Sequence, residues 1–64
     1  MVYKVGDRVV AFDLGSNALR GTVKAVYHTD RGFNLYDVTL DKADMVAYNR
    51  TKFDIQLESE YDKE

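Results

Sequence analysis

The stretch Leu19-Arg20-Gly21-Thr22-Val23-Lys24-Ala25-Val26-Tyr27 decides the fold class, because its residues follow a period of two and carry no helical stripe. Val23, Ala25 and Tyr27 fall on one side of this strand, and Thr22, Lys24 and Val26 on the other. Gly21 marks a bulge or a close approach of backbones. Turn-forming residues bracket the run: Leu14-Gly15-Ser16-Asn17-Ala18 before it, His28-Thr29-Asp30-Arg31-Gly32-Phe33-Asn34 after it. Upstream, the turn Val5-Gly6-Asp7-Arg8 launches Val9-Val10-Ala11-Phe12, in which Val9 and Ala11 share one face and Val10 and Phe12 the other. Downstream, Leu35 to Leu40 presents Tyr36, Val38 and Leu40 to one side, and Asp41-Lys42-Ala43-Asp44 connects it to a fourth strand, Met45 to Tyr48. The helix propensity of the KADMVA segment makes a helix over Asp41 to Tyr48 the local competitor. Asn49-Arg50-Thr51-Lys52 reads as one short helical turn, and Phe53, Ile55 and Leu57 alternate with Asp54 and Gln56 in a fifth strand.

A chain of 64 residues has one thin core. Five short strands laid flat would leave an apolar face in water, whereas curling the sheet buries it and removes most open edges. The expectation is all-β: a small five-stranded, strongly bent antiparallel barrel over residues 1–58, with one short helical turn before the last strand. Val9, Ala11, Val23, Val38, Leu40, Val46, Phe53 and Ile55 are expected inside. Residues 59–64 are expected as an acidic, flexible C-terminus.

Charge is unevenly spread along the chain. The net charge is -2, yet the last seven residues, ESEYDKE, carry four acids and one lysine, which leaves eight basic and seven acidic groups elsewhere. Such an acidic end is either a solvated terminus or a segment that touches a basic partner or guards a basic face. There is no cysteine and one histidine, so thiolate and His-rich metal sites are excluded and no cofactor is expected. No apolar run reaches the roughly 20 residues of a membrane span, and the start lacks a secretory pattern, so a cytoplasmic location is expected.

The strings VGDRVVA, RGTVKAVY, YDVTLD and FDIQLE together resemble the small SH3-like barrels of the Tudor and KOW type, over Val5 to Glu58. The resembling pattern is a Gly-Asp turn into strand one, Gly-x-Val into strand two, Tyr-x-Val into strand three and a short turn before a closing strand. Compact stand-alone versions look like small bacteriophage or bacterial accessory proteins. The resemblance implies binding of RNA, DNA, ribosomes, methylated histone tails or other proteins. In Tudor-type barrels, aromatic side chains at the loop mouths cage a methylated cation.

Catalysis finds no constellation in the sequence. His28 has Asp30 nearby, but Ser16 and Ser59 lie in no nucleophile motif, and Asp37, Asp41 and Asp44 occupy strand ends and a turn, where aspartate meets local backbone donors. The expectation is therefore a binding module without enzymatic activity. Five tyrosines and three phenylalanines exceed what so small a core holds. Phe12, Tyr27, Arg31, Phe33 and Tyr48 are the candidate contact residues for a protein partner at a barrel end or strand edge, and self-association through a strand edge is part of that reading. The alternative is a KOW-like nucleic-acid binder using Arg20, Lys24 and Arg31 on phosphates, with Arg50 and Lys52 nearby. The acidic balance of the chain speaks against that alternative.

Overall fold

The computed structural model describes residues 2–12, 17–42 and 45–63. Strands β1 (Arg8–Phe12), β2 (Ala18–His28), β3 (Asn34–Leu40), β4 (Val46–Arg50) and β5 (Ile55–Leu57) are followed by a short helix, α1 (Glu58–Asp62). They form one antiparallel five-stranded sheet in the order β4-β3-β2-β1-β5, in which β4 and β5 are the two edges. The expected loop Leu14 to Ala18 and the connection Asp41 to Asp44 lie partly outside the described residues. Val46–Arg50 is strand, so the helical competitor does not hold there.

Strand β2 organises the sheet. Its first half, Ala18 to Thr22, pairs with β1, and Gly21 to His28 pair with β3. At the overlap stands Gly21, where an added Cβ would sit 2.5 Å from the Thr39 carbonyl oxygen and 2.7 Å from Val38 Cγ1. The expected close backbone approach at Gly21 is thus observed. The bulge lies two residues on, between Val23 and Ala25. It reverses the expected faces of the strand's second half: Val23 and Val26 both pack on the core, while Tyr27 is 50% exposed.

The core joins Val9 and Ala11 of β1, Val23 of β2, Tyr36, Val38 and Leu40 of β3, Ile55 of β5 and Tyr3, with Ala47 of β4 packed against it. Both edge strands therefore contribute to one cluster, which requires the sheet to bend. The Tyr3 and Tyr36 rings meet edge to face at 5.3 Å between centroids. The N-terminal turn is pinned where Gly6 N–H donates to the Val23 carbonyl and Val23 N–H to the Asp7 carbonyl, both at 2.9 Å. Gly6 has φ of +96°, a conformation that favours glycine.

Three expectations are corrected. Phe53 is not core but 83% exposed, because Thr51 to Asp54 form a tight turn and the strand begins only at Ile55. In that turn Asp54 Oδ2 accepts from both Thr51 N–H (3.0 Å) and Thr51 Oγ1 (2.9 Å), and Phe53 N–H donates to Thr51 Oγ1 (3.2 Å). The helical turn expected at Asn49 to Lys52 is absent: Asn49 and Arg50 belong to β4, and the chain's short helix follows β5 instead of preceding it. Val46 is only partly buried, on the opposite face from Ala47.

The segment expected as a flexible acidic end is helical from Glu58 and packs on β1 and β5. It covers the β1 face opposite the core, where Val10 is fully buried and the Phe12 ring lies 5.9 Å from that of Tyr61. A second, small apolar layer follows from this packing, and it explains why Val9, Val10 and Ala11 are buried in succession.

Gly21→Ala should destabilise the fold by roughly 1–3 kcal/mol, the usual cost of forcing atoms into a filled site. Urea unfolding of the variant beside wild type measures it; a loss below about 0.5 kcal/mol would show that β2 and β3 separate easily at this point.

Candidate functional site

Three clusters of side chains stand out on the surface, and each follows from a local constraint of the chain. The first is an apolar groove of about 560 Å³, lined by Val2, Phe33, Tyr36, Lys52 and Phe53 among others. The β2–β3 loop presents Phe33 through a closed hydrogen-bond circuit. Thr29 N–H (2.9 Å) and Thr29 Oγ1 (3.0 Å) both donate to the Phe33 carbonyl, and Gly32, at φ of +88°, donates its N–H to the Thr29 carbonyl (3.0 Å). The Thr51–Asp54 turn presents Phe53 from the opposite side. Val2, Phe33 and Phe53 are 73%, 48% and 83% exposed, while Tyr36 beneath them is buried. The Tyr36 hydroxyl accepts long bonds from Tyr3 N–H and Asn34 Nδ2, each at 3.4 Å, which holds this ring in place. Lys52 lies 5.3 Å from the Phe53 ring centre, within reach of a cation–π contact.

The second cluster is Tyr27, Asp37 and Tyr48. Asp37 is buried, and its Oδ1 accepts the Asn49 N–H at 3.0 Å. That bond holds β4 where its register to β3 shifts and Asn49 adopts φ of +56°. Hydrogen bonding with Asp37, then its negative charge and desolvation, push the Tyr27 phenol above its ordinary pKa, and Tyr48 adds least.

The third is a chain of ion pairs that ties α1 to the sheet. Arg8 grips Asp41 in a bidentate pair at 2.7 and 2.6 Å and reaches Glu58 at 3.1 Å. Arg20 meets the same Glu58 oxygen at 3.0 Å and holds Asp62 through two contacts of 3.1 and 2.7 Å. Arg20 also lies 5.7 Å from the Tyr61 ring centre. The guanidinium groups hold the carboxyls of Asp41, Glu58 and Asp62 below their ordinary values, and hydrogen bonding is the leading cause in each case.

These placements sort the candidate residues. Tyr27 and Tyr48 come together around Asp37, and Phe33 enters a groove with Phe53. Arg31 is exposed in the β2–β3 loop. Phe12 is partly buried against Tyr61 and is not a free contact residue. Among the basic candidates, Arg20 is neutralised by two carboxylates and Lys52 lies over a ring. Arg50 is partly buried beside a second cavity, and its Nε is buried without a hydrogen-bond partner. Among the described residues, only Lys24 and Arg31 of the five stand exposed without an ion pair or ring contact.

The sequence reading missed Val2, Phe53, Asp37, Arg8 and Tyr61 as parts of these clusters. The Thr51-x-x-Asp54 spacing, a local side-chain-to-backbone turn signal, would have placed Phe53 outside. No group of three His, Asp or Glu side chains is arranged to hold a metal among the described residues, and none of their helices is long and apolar enough to cross a membrane. Comparison of the chain with protein-family models, curated proteins and solved structures found no match.

Because the three carboxyls have depressed pKa values, the stability they lend is full above their ordinary values of 3.8 (Asp) and 4.5 (Glu). It is lost as pH falls through the depressed values. Lowering pH from about 6 to about 3 should weaken the Phe12–Tyr61 ring contact, read as loss of the cross-peak between the two rings. The pairs are well exposed, so salt should weaken the same contact at neutral pH. A ring contact indifferent to both would show that apolar packing alone holds α1.

Proposed function

We propose that this chain is a non-enzymatic binding module that docks a protein partner through the groove of Val2, Phe33, Tyr36 and Phe53, with Arg31 exposed in the same β2–β3 loop as Phe33. The observation that carries this reading is the convergence of two loops, each closed by its own threonine, on one pair of exposed phenylalanines. A phenylalanine held in water by a rigid turn costs little further ordering when it is buried against a partner. Removal of its apolar surface from water then drives association. The Tyr27–Asp37–Tyr48 cluster supplies further aromatic surface with a polar tip, as contact surfaces commonly do.

The barrel reading belongs to the same proposal. A fifth strand that returns to pair with the first, and a core fed by both edge strands, are what an SH3-like barrel of the Tudor or KOW type requires. The nucleic-acid alternative rests on Lys24 and Arg31 and loses Arg20 to Glu58 and Asp62. Two of the five basic candidates left exposed and unpaired, on a chain of net charge -2, make a weak electrostatic footprint.

Phe33→Ala and Phe53→Ala should leave folding nearly unchanged, within about 0.5–1 kcal/mol, because both rings are exposed. Each should weaken a complex captured by the wild-type chain from its source cell by about 2 kcal/mol if it is a hot spot. Both variants folded and binding as wild type would remove the groove from the reading. Sedimentation of the isolated chain as a dimer that either variant dissolves would make the partner a second copy. Salt-sensitive binding of single-stranded DNA or RNA, lost in Arg31→Gln, would favour the alternative.

A further inference from the structure

We propose that Arg8, Arg20 and Phe12 form a docking site for an acidic peptide segment bearing an aromatic residue, a site that the chain's own C-terminal helix fills in this structure. The site involves other residues than the Phe33–Phe53 groove, and the proposal stands without it.

The reasoning begins with the strand faces. Arg8, Val10 and Phe12 alternate along β1 and so share the face turned away from the core, and Val10 pairs with Arg20 across β1 and β2. An apolar floor thus carries two guanidinium groups at its margin. The occupant matches it feature by feature. Glu58 bridges both arginines through one oxygen, Asp62 takes Arg20 in a two-point contact, and Tyr61 lies on Phe12 while facing Arg20. Paired guanidinium–carboxylate contacts with a ring laid beside them form a recognition pattern with geometric demands on its ligand.

The hold on this occupant is light. Its polar contacts are ion pairs of half-exposed side chains around a less exposed Glu58, its apolar contacts are one tilted ring pair and a thin layer over Val10, and α1 is a single five-residue helix with no buried residue of its own. Exposed pairs of this sort contribute little and are screened by salt. Segments secured in this way open far more readily than a sheet core. The tether makes these modest contacts sufficient, because a covalently linked segment competes at an effective concentration on the order of millimolar. A partner with the same spacing of acid and ring meets the same two arginines once it outcompetes that tether. A nucleic-acid strand would satisfy the charges, but a segment with carboxylates and a tyrosine also fits the packing on Phe12.

The test uses the full-length chain and a blocked synthetic peptide of residues 58–63. In Glu58→Gln/Asp62→Asn the tethered segment keeps its shape and loses both charges it offers the arginines. Titration of the peptide should shift the Nε–H signals of Arg8 and Arg20 and the Phe12 ring signals, with half-saturation at least about tenfold below that of wild type. Adding Arg20→Gln to this variant should abolish the shifts. Wild type itself should show the same shifts at several millimolar peptide, and this arm decides the matter if the double variant does not fold. Absence of shifts in the folded double variant, or in wild type where that arm decides, would overturn the proposal. So would binding of an oligothymidylate strand by the double variant in preference to the peptide.

Discussion

Gly21 stands where β2 passes from one partner to the other, and at that point the backbones of β2 and β3 come closer than any side chain allows. An added Cβ would overlap the Thr39 carbonyl oxygen at 2.5 Å, and that oxygen cannot swing aside as a side-chain tip would. From this contact the rest of the sheet takes its shape. The first half of β2 carries β1, and through it β5 and α1; the second half carries β3, and through it β4. Were β2 straight, the two halves of the sheet would face the same way and leave Val9, Ala11 and Ile55 without Val23, Tyr36 and Val38 to pack on. A chain of 64 residues has little other apolar area to lose. The bend therefore gives the chain its core, and a side chain at position 21 would strain the contact on which it rests.

Much of this was legible in the sequence, because period-two alternation and turn residues are local signals. The alternation of Tyr36, Val38 and Leu40 in β3 survives intact in the structure, and so does the pairing of Val9 with Ala11 on one face of β1. The glycine inside β2 was readable as a close approach. What was not legible depended on interruptions that leave the pattern looking undisturbed. One extra residue at the bulge moves Tyr27 from the core side to the surface without altering the sequence's apparent period. Phe53 keeps perfect alternation with Ile55 and Leu57, yet it belongs to a turn closed by Thr51 and Asp54. Tyr3 lies before the first recognisable turn and enters the core through partners far along the chain, the ring of Tyr36 and the carbonyl of Ile55. Local pattern carries no information about such a partner.

The charge pattern shows the same division between composition and place. Excluding its last seven residues, the chain is close to neutral, which says nothing about where its cations are spent. Two of them, Arg8 and Arg20, face three carboxylates that come from the β3–β4 connection and from α1. The acidic end is thus not an appendage whose charge adds to the total but a counter-charge to a particular face. Its opposite sign is seated on Arg8 and Arg20, and this alters which surfaces remain available.

The aromatic excess resolves along similar lines. Of the eight tyrosine and phenylalanine rings, Tyr3 and Tyr36 fill the core, and Phe12 and Tyr61 fill the thin layer under α1. Tyr27, Phe33, Tyr48 and Phe53 are left between 48% and 83% exposed. Folding does not account for Phe33 and Phe53, which sit on a loop and a turn where a small polar residue would satisfy the backbone equally well, and Tyr27 and Tyr48 turn outward from β2 and β4. Nor do they form one continuous sheet face that would invite indiscriminate association: a loop holds Phe33, a turn holds Phe53, Asp37 interacts with Tyr27, and its bond to Asn49 N–H fixes β4 beside Tyr48. Rings fixed in this way keep a defined geometry in water, and a defined geometry is what allows apolar surface to select a partner and not merely to stick. Because the constraints lie in the connections, a change in a loop's hydrogen bonds would re-aim a ring while leaving the bend at Gly21, and hence the core, untouched.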